Sequence, residues 1–206
     1  MSVKRISVGA LETNCYIYCD DATGRCAIID PGDFDEYVQR AIEQFGSDKF
    51  DYILLTHCHF DHVEGVSRVQ EMTGAKIAIF TDDAPGLRNT FVNLSAPFRG
   101  RGDVYPTPDI ELTDRETIHV GQTQFTVMHT PGHTVGSCCF ITDGIIFSGD
   151  TLFRMSAGRT DFPGGSASEL RRSLRRLAEL EGDYQVYPGH EDPTTLDYER
   201  KYNLYM

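Results

Sequence analysis

Long hydrophobic runs, basic charge and closely spaced cysteine pairs are all scarce in this chain, and each scarcity excludes something. No apolar stretch approaches the length of a membrane-spanning helix. Met1-Ser2-Val3-Lys4-Arg5-Ile6 is not followed by the apolar run of a secretory signal, so neither membrane insertion nor export is expected. Lys and Arg number 19 against 31 Asp and Glu, for a net charge of −12. Nucleic-acid affinity rests on clustered cations, so a phosphate-backbone partner is not expected. A small anionic substrate is not excluded, because bound divalent cations would reverse the local sign. The six cysteines, at 15, 19, 26, 58, 138 and 139, contain no Cys-x-x-Cys pair. They read as small buried apolar side chains of a protein in a reducing cytoplasm. Asn93-Leu94-Ser95 matches a glycosylation sequon that would stay idle there.

What is present suits one globular domain spanning residues 1–206, with 40% hydrophobic and 24% charged residues. Strands are expected over 3–9, 14–18 and 25–30, with Asp33 capping a helix whose apolar face is Phe34, Val38, Ala41, Ile42 and Phe45. Phe50 to Leu55 is a strand, 63–73 a helix and 76–80 a strand. Residues 81–110 hold four of the nine prolines. They read as a short helix near 84–90 within a long loop, placed as one wall of a substrate groove. Strands resume over 117–120, 124–129, 136–142 and 144–148. Ser166 and Glu169 form a capping box before a helix on Leu170, Leu174, Leu177 and Leu180. A strand over 184–187 and a helix over 194–203 close the chain. Periodicity by itself says mixed α and β.

The chain is organised around Thr56-His57-Cys58-His59-Phe60-Asp61-His62, which sets three imidazoles and a carboxylate within six residues just after a buried strand. Imidazole nitrogen and carboxylate oxygen are donors for zinc, manganese or iron. On a two-residue period His57 and His59 share one side and Cys58 the other. Matching donors end three further strands at glycine-containing turns: His133 in Thr-Pro-Gly-His, Asp150 in Ser-Gly-Asp and His190 in Tyr-Pro-Gly-His. Five of the seven histidines fall in these places. Asp30 ends a strand in the same way, and could either accept a hydrogen bond from a ligand histidine or merely cap its own turn. His129 reads as a support for the turn that carries His133.

In this order, His-x-His-x-Asp-His, Gly-His, Gly-Asp and Gly-His resemble the metallo-β-lactamase-fold hydrolases. Gly149-Asp150-Thr151-Leu152-Phe153 and Gly158-Arg159-Thr160-Asp161-Phe162-Pro163-Gly164 resemble the glyoxalase II (hydroxyacylglutathione hydrolase) branch. The resemblance runs from about Ile6 to the C-terminus. It implies an α/β four-layer αββα sandwich with a metal site at the shared edge of two sheets. It also implies two divalent ions, zinc first, with iron or manganese as alternatives. His57, His59 and His133 would hold one, Asp61, His62 and His190 the other, and Asp150 would bridge them. Asp61 and Asp150 would be catalytic, with a metal-bridging hydroxide as nucleophile. Arg159 would contact substrate, or else form a surface ion pair with Asp161.

A small-molecule thioester is the expected substrate, because a thiolate departs without a proton whereas an amide nitrogen needs an acid. By the resemblance, β-lactamases of this fold generally lack a carboxylate at the bridging place, so Asp150 argues against β-lactams. Full-length glyoxalase II enzymes add a helical C-terminal domain with basic contacts to glutathione, and this chain stops at Met206, which leaves glutathione specificity open. Two alternatives stand beside the hydrolase: a mononuclear-iron persulfide dioxygenase using His57, His133 and Asp150, and a non-catalytic metal-binding module.

Overall fold

The computed structural model describes residues 2–206. Its first sheet orders β1 (Ser2–Val8), β2 (Thr13–Cys19), β3 (Cys26–Ile29), β4 (Phe50–Leu55), β5 (Lys76–Phe80) and β6 (Ile110–Leu112) as neighbours in sequence order. The β1–β2–β3 meander is antiparallel and β3 to β6 are parallel. Between them come helices α1 (Glu36–Phe45), α2 (Phe60–Val63), α3 (Val66–Thr73) and α4 (Ser95–Arg99). The second sheet is built from β7 (Thr117–Val120), β8 (Thr123–His129), β9 (Cys138–Thr142) and β10 (Ile145–Gly149), continued by β13 (Gln185–Pro188) and β14 (Thr194–Thr195). A small ribbon, β11 (Leu152–Phe153) with β12 (Ser156–Ala157), and helices α5 (Ala167–Ala178) and α6 (Leu196–Tyr202) complete the chain.

Strand parity builds the layers. In β2, Cys15 and Ile17 face the helix-side core with Val38, Ile42 and Val69, while Tyr16 and Tyr18 face the other sheet. The same alternation puts Ile53 and Leu55 outward and Leu54 inward. In the second sheet Phe140 and Phe147 point inward, and Cys139 and Ile146 point toward Leu170, Leu174 and Leu177 of α5. Three apolar layers therefore separate helix, sheet, sheet and helix, which is the αββα sandwich the resemblance implies. Both buried sheet faces are covered, so the strands read as nearly continuous apolar runs.

Four expectations need correction. The N-cap of α1 is Asp35, which accepts from Tyr37 and Val38 N–H; Asp33 instead accepts from the adjacent Phe34 N–H. The helix expected over 63–73 is two helices broken at Gly65, where an added Cβ would lie 2.5 Å from the Asp33 carbonyl oxygen. The helix expected over 194–203 begins only at Leu196, because Thr194 and Thr195 pair with β13. Cys19 and Cys26 are a disulfide, not free thiols. Antiparallel register places them directly opposite across β2 and β3, on the same helix-side face. The other four cysteines are free and buried. The disulfide removes the cysteine-based argument for a reducing compartment. No helix among the described residues is long and apolar enough to cross a membrane.

Residues 81–109 are the β5-to-β6 crossover, organised by Asn93. Its buried amide donates to the carbonyl of Asp103 and accepts from Ser95 N–H. That side chain is a structural staple, which disposes of the sequon independently of compartment.

Candidate metal centre

The donors converge because four strands end at the same rim. After Leu55 the chain leaves the sheet, and His59 precedes the short α2, whose first turn carries Asp61 and His62. The Thr56 carbonyl accepts from Cys138 N–H at 2.9 Å, tying the end of β4 to the second sheet. Strands β10 and β13 are parallel neighbours, so their ends deliver Asp150 and His190 side by side, with Gly189 N–H bonded to Gly149 O at 2.9 Å. Asn14 and Tyr16 of β2 reach across to the Pro188 carbonyl, holding the His190 turn against the first sheet. His133 follows β8, and the His129 ring supports its turn by contacting the Val135 carbonyl at 2.9 Å.

All seven expected donors are in this cluster. Three groups have ligand atoms within 4.8 Å of one another: His57, His59 and His133; His57, His62 and Asp150; and Asp61, His62 and His190. Asp150 faces both histidine groups, with Oδ2 at 3.4 Å from His133 Nε2 and Oδ1 at 3.4 Å from His62 Nε2. Asp61 Oδ2 lies 3.3 Å from His190 Nε2.

Hydrogen bonds behind the rings decide which nitrogens face inward as lone pairs. His133 Nδ1–H donates to the Arg159 carbonyl at 2.8 Å, and His190 Nδ1–H to the Leu11 carbonyl at 3.1 Å. His62 Nδ1–H donates to Asp30 Oδ2 at 3.0 Å. The Thr56 hydroxyl donates to Asp30 Oδ2 at 2.6 Å, so at 3.1 Å it can only accept from His57 Nδ1–H. Four Nε2 lone pairs are thereby turned toward the centre. His57 Nε2 and His133 Nε2 both lie against His59 Nδ1, at 3.1 and 2.9 Å. One ring proton can satisfy only one of those two contacts, whereas a cation among the three nitrogens satisfies both. His62 Nε2 and His190 Nε2 face each other at 3.3 Å in the same way. The buried Asp150 Oδ1 has no hydrogen-bond partner. The donor chemistry therefore fits divalent cations.

Electrostatics point the same way. Burial, reinforced by neighbouring imidazoles, pushes His57 and His59 well below the ordinary histidine range, so both are neutral donors at pH 7. Burial also opposes a charged His62, but Asp61, Asp150 and Asp30 outweigh it and raise His62 to about 10. His190 is raised against burial by Asp61 and Asp150. Against its own burial, Asp61 is held well below the usual carboxylate range by His62 and His190. Where no cation is bound, a proton takes its place in this negative field.

Several supporting groups leave little trace in sequence. Thr56 relays between His57 and Asp30, and Thr13 Oγ1 donates to Asp61 Oδ2 at 3.2 Å. The Leu11 and Arg159 acceptors are backbone carbonyls, which no residue type announces. Asp30 does more than cap its turn: it accepts from Thr56 N–H, the Thr56 hydroxyl and His62. Cys58 faces away from the donors, and burial, with Asp83 beside it, raises its thiol well above the ordinary range, so it is inert.

A cavity of about 400 Å³ opens over the centre. Leu11, Phe60, Leu94, Phe98, Phe153 and Phe162 supply its apolar wall, with Leu94 and Phe98 contributed by the β5–β6 crossover. Phe98 and Phe162 meet edge to face at 5.6 Å, and Phe162 meets His59 at 5.9 Å. Arg159 lines the cavity, but its guanidinium is held by Asp161 through two 2.7 Å hydrogen bonds and lies over the Phe162 ring.

Comparison with known proteins gives a consistent fold and a divided set of activities. A sequence profile described as "Metallo-beta-lactamase superfamily" matches residues 8–190. A Haemophilus influenzae protein named hydroxyacylglutathione hydrolase GloC is 32% identical over 215 residues, covering 100% of this chain and 98% of its own. The crystal structure of BLEG-1 B3 metallo-beta-lactamase matches with a TM-score of 0.92 at 32% identity, over 99% of each chain. The structure of TTHA1623 in a di-iron-bound form matches at 0.84 and 32% identity, covering 98% of this chain and 100% of its own. ETHE1 from Myxococcus xanthus matches at 0.81 and 27% identity, covering 99% and 84%.

Proposed function

The chain belongs to the metallo-β-lactamase superfamily, and from that premise we propose that it is a dinuclear metal-dependent hydrolase of thioesters. Asp150 carries the reading: one carboxylate faces both histidine groups and keeps a buried, unpartnered oxygen between them. His57, His59 and His133 would hold one cation, Asp61, His62 and His190 the second, and Asp150 would contact both. Zinc, iron and manganese all suit this donor set. Bound there, the pair would supply Lewis acidity and a water of lowered pKa.

The residues themselves prepare the rest. Backbone carbonyls, Thr56 and Asp30 fix ring orientations, so the donors need little rearrangement during reaction. The Phe60, Phe98 and Phe162 rings give the cavity apolar surface beside the donors. Outside the donor set, the ionisable side chains lining the cavity are Arg159, engaged with Asp161, and the exposed Glu191. No positioned acid therefore stands ready to protonate an amide nitrogen, whereas a thiolate with a pKa near about 8.5 leaves without one. A complete second donor group favours a dinuclear hydrolase over a one-iron dioxygenase.

The likeness to GloC supports a thioester, and the likeness to BLEG-1 supports a β-lactam as a second reading. The deciding experiment combines metal analysis of the isolated protein with parallel assays of S-D-lactoylglutathione, a β-lactam and oxygen uptake with a persulfide. About two metals per chain and thioester hydrolysis lost in Asp150→Ala are expected. Turnover of only the β-lactam or only the persulfide, or full thioesterase activity in Asp150→Ala, overturns the proposal.

A further inference from the structure

Asp83 is a buried carboxylate that the chemistry above does not use. It sits just past β5, its own N–H bonded to the Phe80 carbonyl, in a crossover whose sequence reads as a long loop. Its two oxygens reach two separate loops. Oδ2 accepts from Cys58 N–H at 2.9 Å and from the Thr134 hydroxyl at 2.8 Å. Oδ1 accepts from Gly136 N–H at 2.7 Å.

Cys58 stands between His57 and His59, and Thr134 directly follows His133. One carboxylate thus joins the two loops that deliver the three nitrogens of the all-histidine group. The Cys58 side chain is fixed from the same segment, since a Cβ on Gly86 would lie 2.4 Å from its sulfur. The Thr134 and Ser137 hydroxyls bond to each other at 2.7 Å, and the Thr134 N–H donates to Ser137 Oγ at 3.0 Å, which closes the His133 turn on Asp83. Asp61, His62 and His190 make no contact with this clamp: their supports are Thr13, Asp30 and the Leu11 carbonyl.

We infer that Asp83 is a positioning residue for the His57–His59–His133 group alone, setting the distance between its two loops and hence the affinity of that one cation site. The inference rests on the metal-centre reading above and adds to it a division of labour: Asp83 supports one donor group alone, whereas Asp30 reaches His62 of the other and, through Thr56, His57.

The test breaks each group in turn. A His190→Ala background keeps His57–His59–His133 whole and breaks Asp61–His62–His190, a His59→Ala background does the reverse, and His57–His62–Asp150 is common to both, so the difference between backgrounds is what is read. Cobalt(II) is titrated into each by competition with a chromophoric chelator, with and without Asp83→Asn, and circular dichroism checks the fold. Asparagine keeps the size but turns one acceptor into a donor, so it cannot serve all three partners. Asp83→Asn should weaken cobalt binding 10–100-fold in the His190→Ala background and leave it unchanged in the His59→Ala background. Thr134→Val removes the hydroxyl's hydrogen bonds to Asp83 and Ser137 and spares the carboxylate; it should weaken the same site by about fivefold or more, and it serves should Asp83→Asn not fold. Equal weakening in both backgrounds, or none in His190→Ala for a folded variant, overturns the inference while leaving the hydrolase reading intact. A wild-type chain that binds no cation overturns both.

Discussion

Asp30 and His62, 32 residues apart, meet in a 3.0 Å hydrogen bond at the rim of the first sheet. Asp30 occupies the left-handed region at φ 49°, a conformation aspartate tolerates better than most residues, and it serves three donors at once. The ring orientation of His62, and through Thr56 that of His57, depends on this one side chain.

Replacing it should therefore cost both stability and metal. Asp30→Ala leaves Thr56 N–H, the Thr56 hydroxyl and His62 Nδ1–H without their acceptor in a buried place. A loss of roughly 3 kcal/mol in unfolding free energy is expected, with a 10–100-fold weaker cation site at Asp61–His62–His190. Urea denaturation and chelator competition measure the two effects separately. Wild-type values for both would show that Asp30 is only a turn residue.

The proton on His62 gives a second, pH-resolved expectation. With no cation bound, His62 titrates at about 10, above its unfolded value of 6.5, and it must give up that proton to ligate through Nε2. At pH 8, binding of the metal pair should release about one proton from this site. The release should vanish as pH rises past about 10, while affinity climbs through the same range. Calorimetry in buffers of different ionisation enthalpy counts the protons. Because His62 is raised on folding, its contribution to metal-free stability is full below about pH 6.5 and is lost as pH rises through about 10. Asp61 is depressed on folding, so its contribution is present above the ordinary carboxylate range and is lost in strong acid. The buried neutral His57 and His59 work against the metal-free fold below about pH 6.5, where the unfolded chain binds the protons they refuse. Stability without metal should peak near neutrality; a maximum near pH 10 would contradict these assignments.

How far the centre could be read without coordinates follows from what kind of group each part uses. His57, His133, Asp150 and His190 were readable because each is a chemistry-bearing side chain at the end of an apolar run, beside a turn. The parity that sends Cys58 away from His57 and His59 was readable for the same reason. Leu11 and Arg159 were not, because their backbone carbonyls do the orienting and any residue carries one. Asp83 was hidden by its surroundings: beside the exposed Asp82, in a loop, nothing in local pattern marks it as buried. The Cys19–Cys26 bridge is a property of register across a hairpin, and spacing alone does not state register. Asp33 and Asp35 suit the cap of α1 equally by type; in the fold Asp35 takes it, while the Asp33 carbonyl packs against Gly65.

Gly189 provides a steric test of the bridging carboxylate. It precedes His190, and an added Cβ would lie 2.3 Å from Asp150 Oδ1 and 2.7 Å from His62 Cε1. Its backbone cannot retreat freely, because its N–H bonds to Gly149 O at 2.9 Å and its carbonyl accepts from Asn14 N–H at 2.7 Å. Gly189→Ala should therefore displace the Asp150 carboxylate from its place between the histidine groups, with every donor still present. Hydrolysis should fall by at least about 100-fold, in line with the cost of an ångström-scale misplacement, and metal content should drop below two per chain. Gly182→Ala is the matched control: an added Cβ there meets nothing within 4 Å, although φ of 85° imposes its own local strain. Equal loss of activity in both variants would trace the effect to general destabilisation, whereas loss confined to Gly189→Ala places it at the carboxylate.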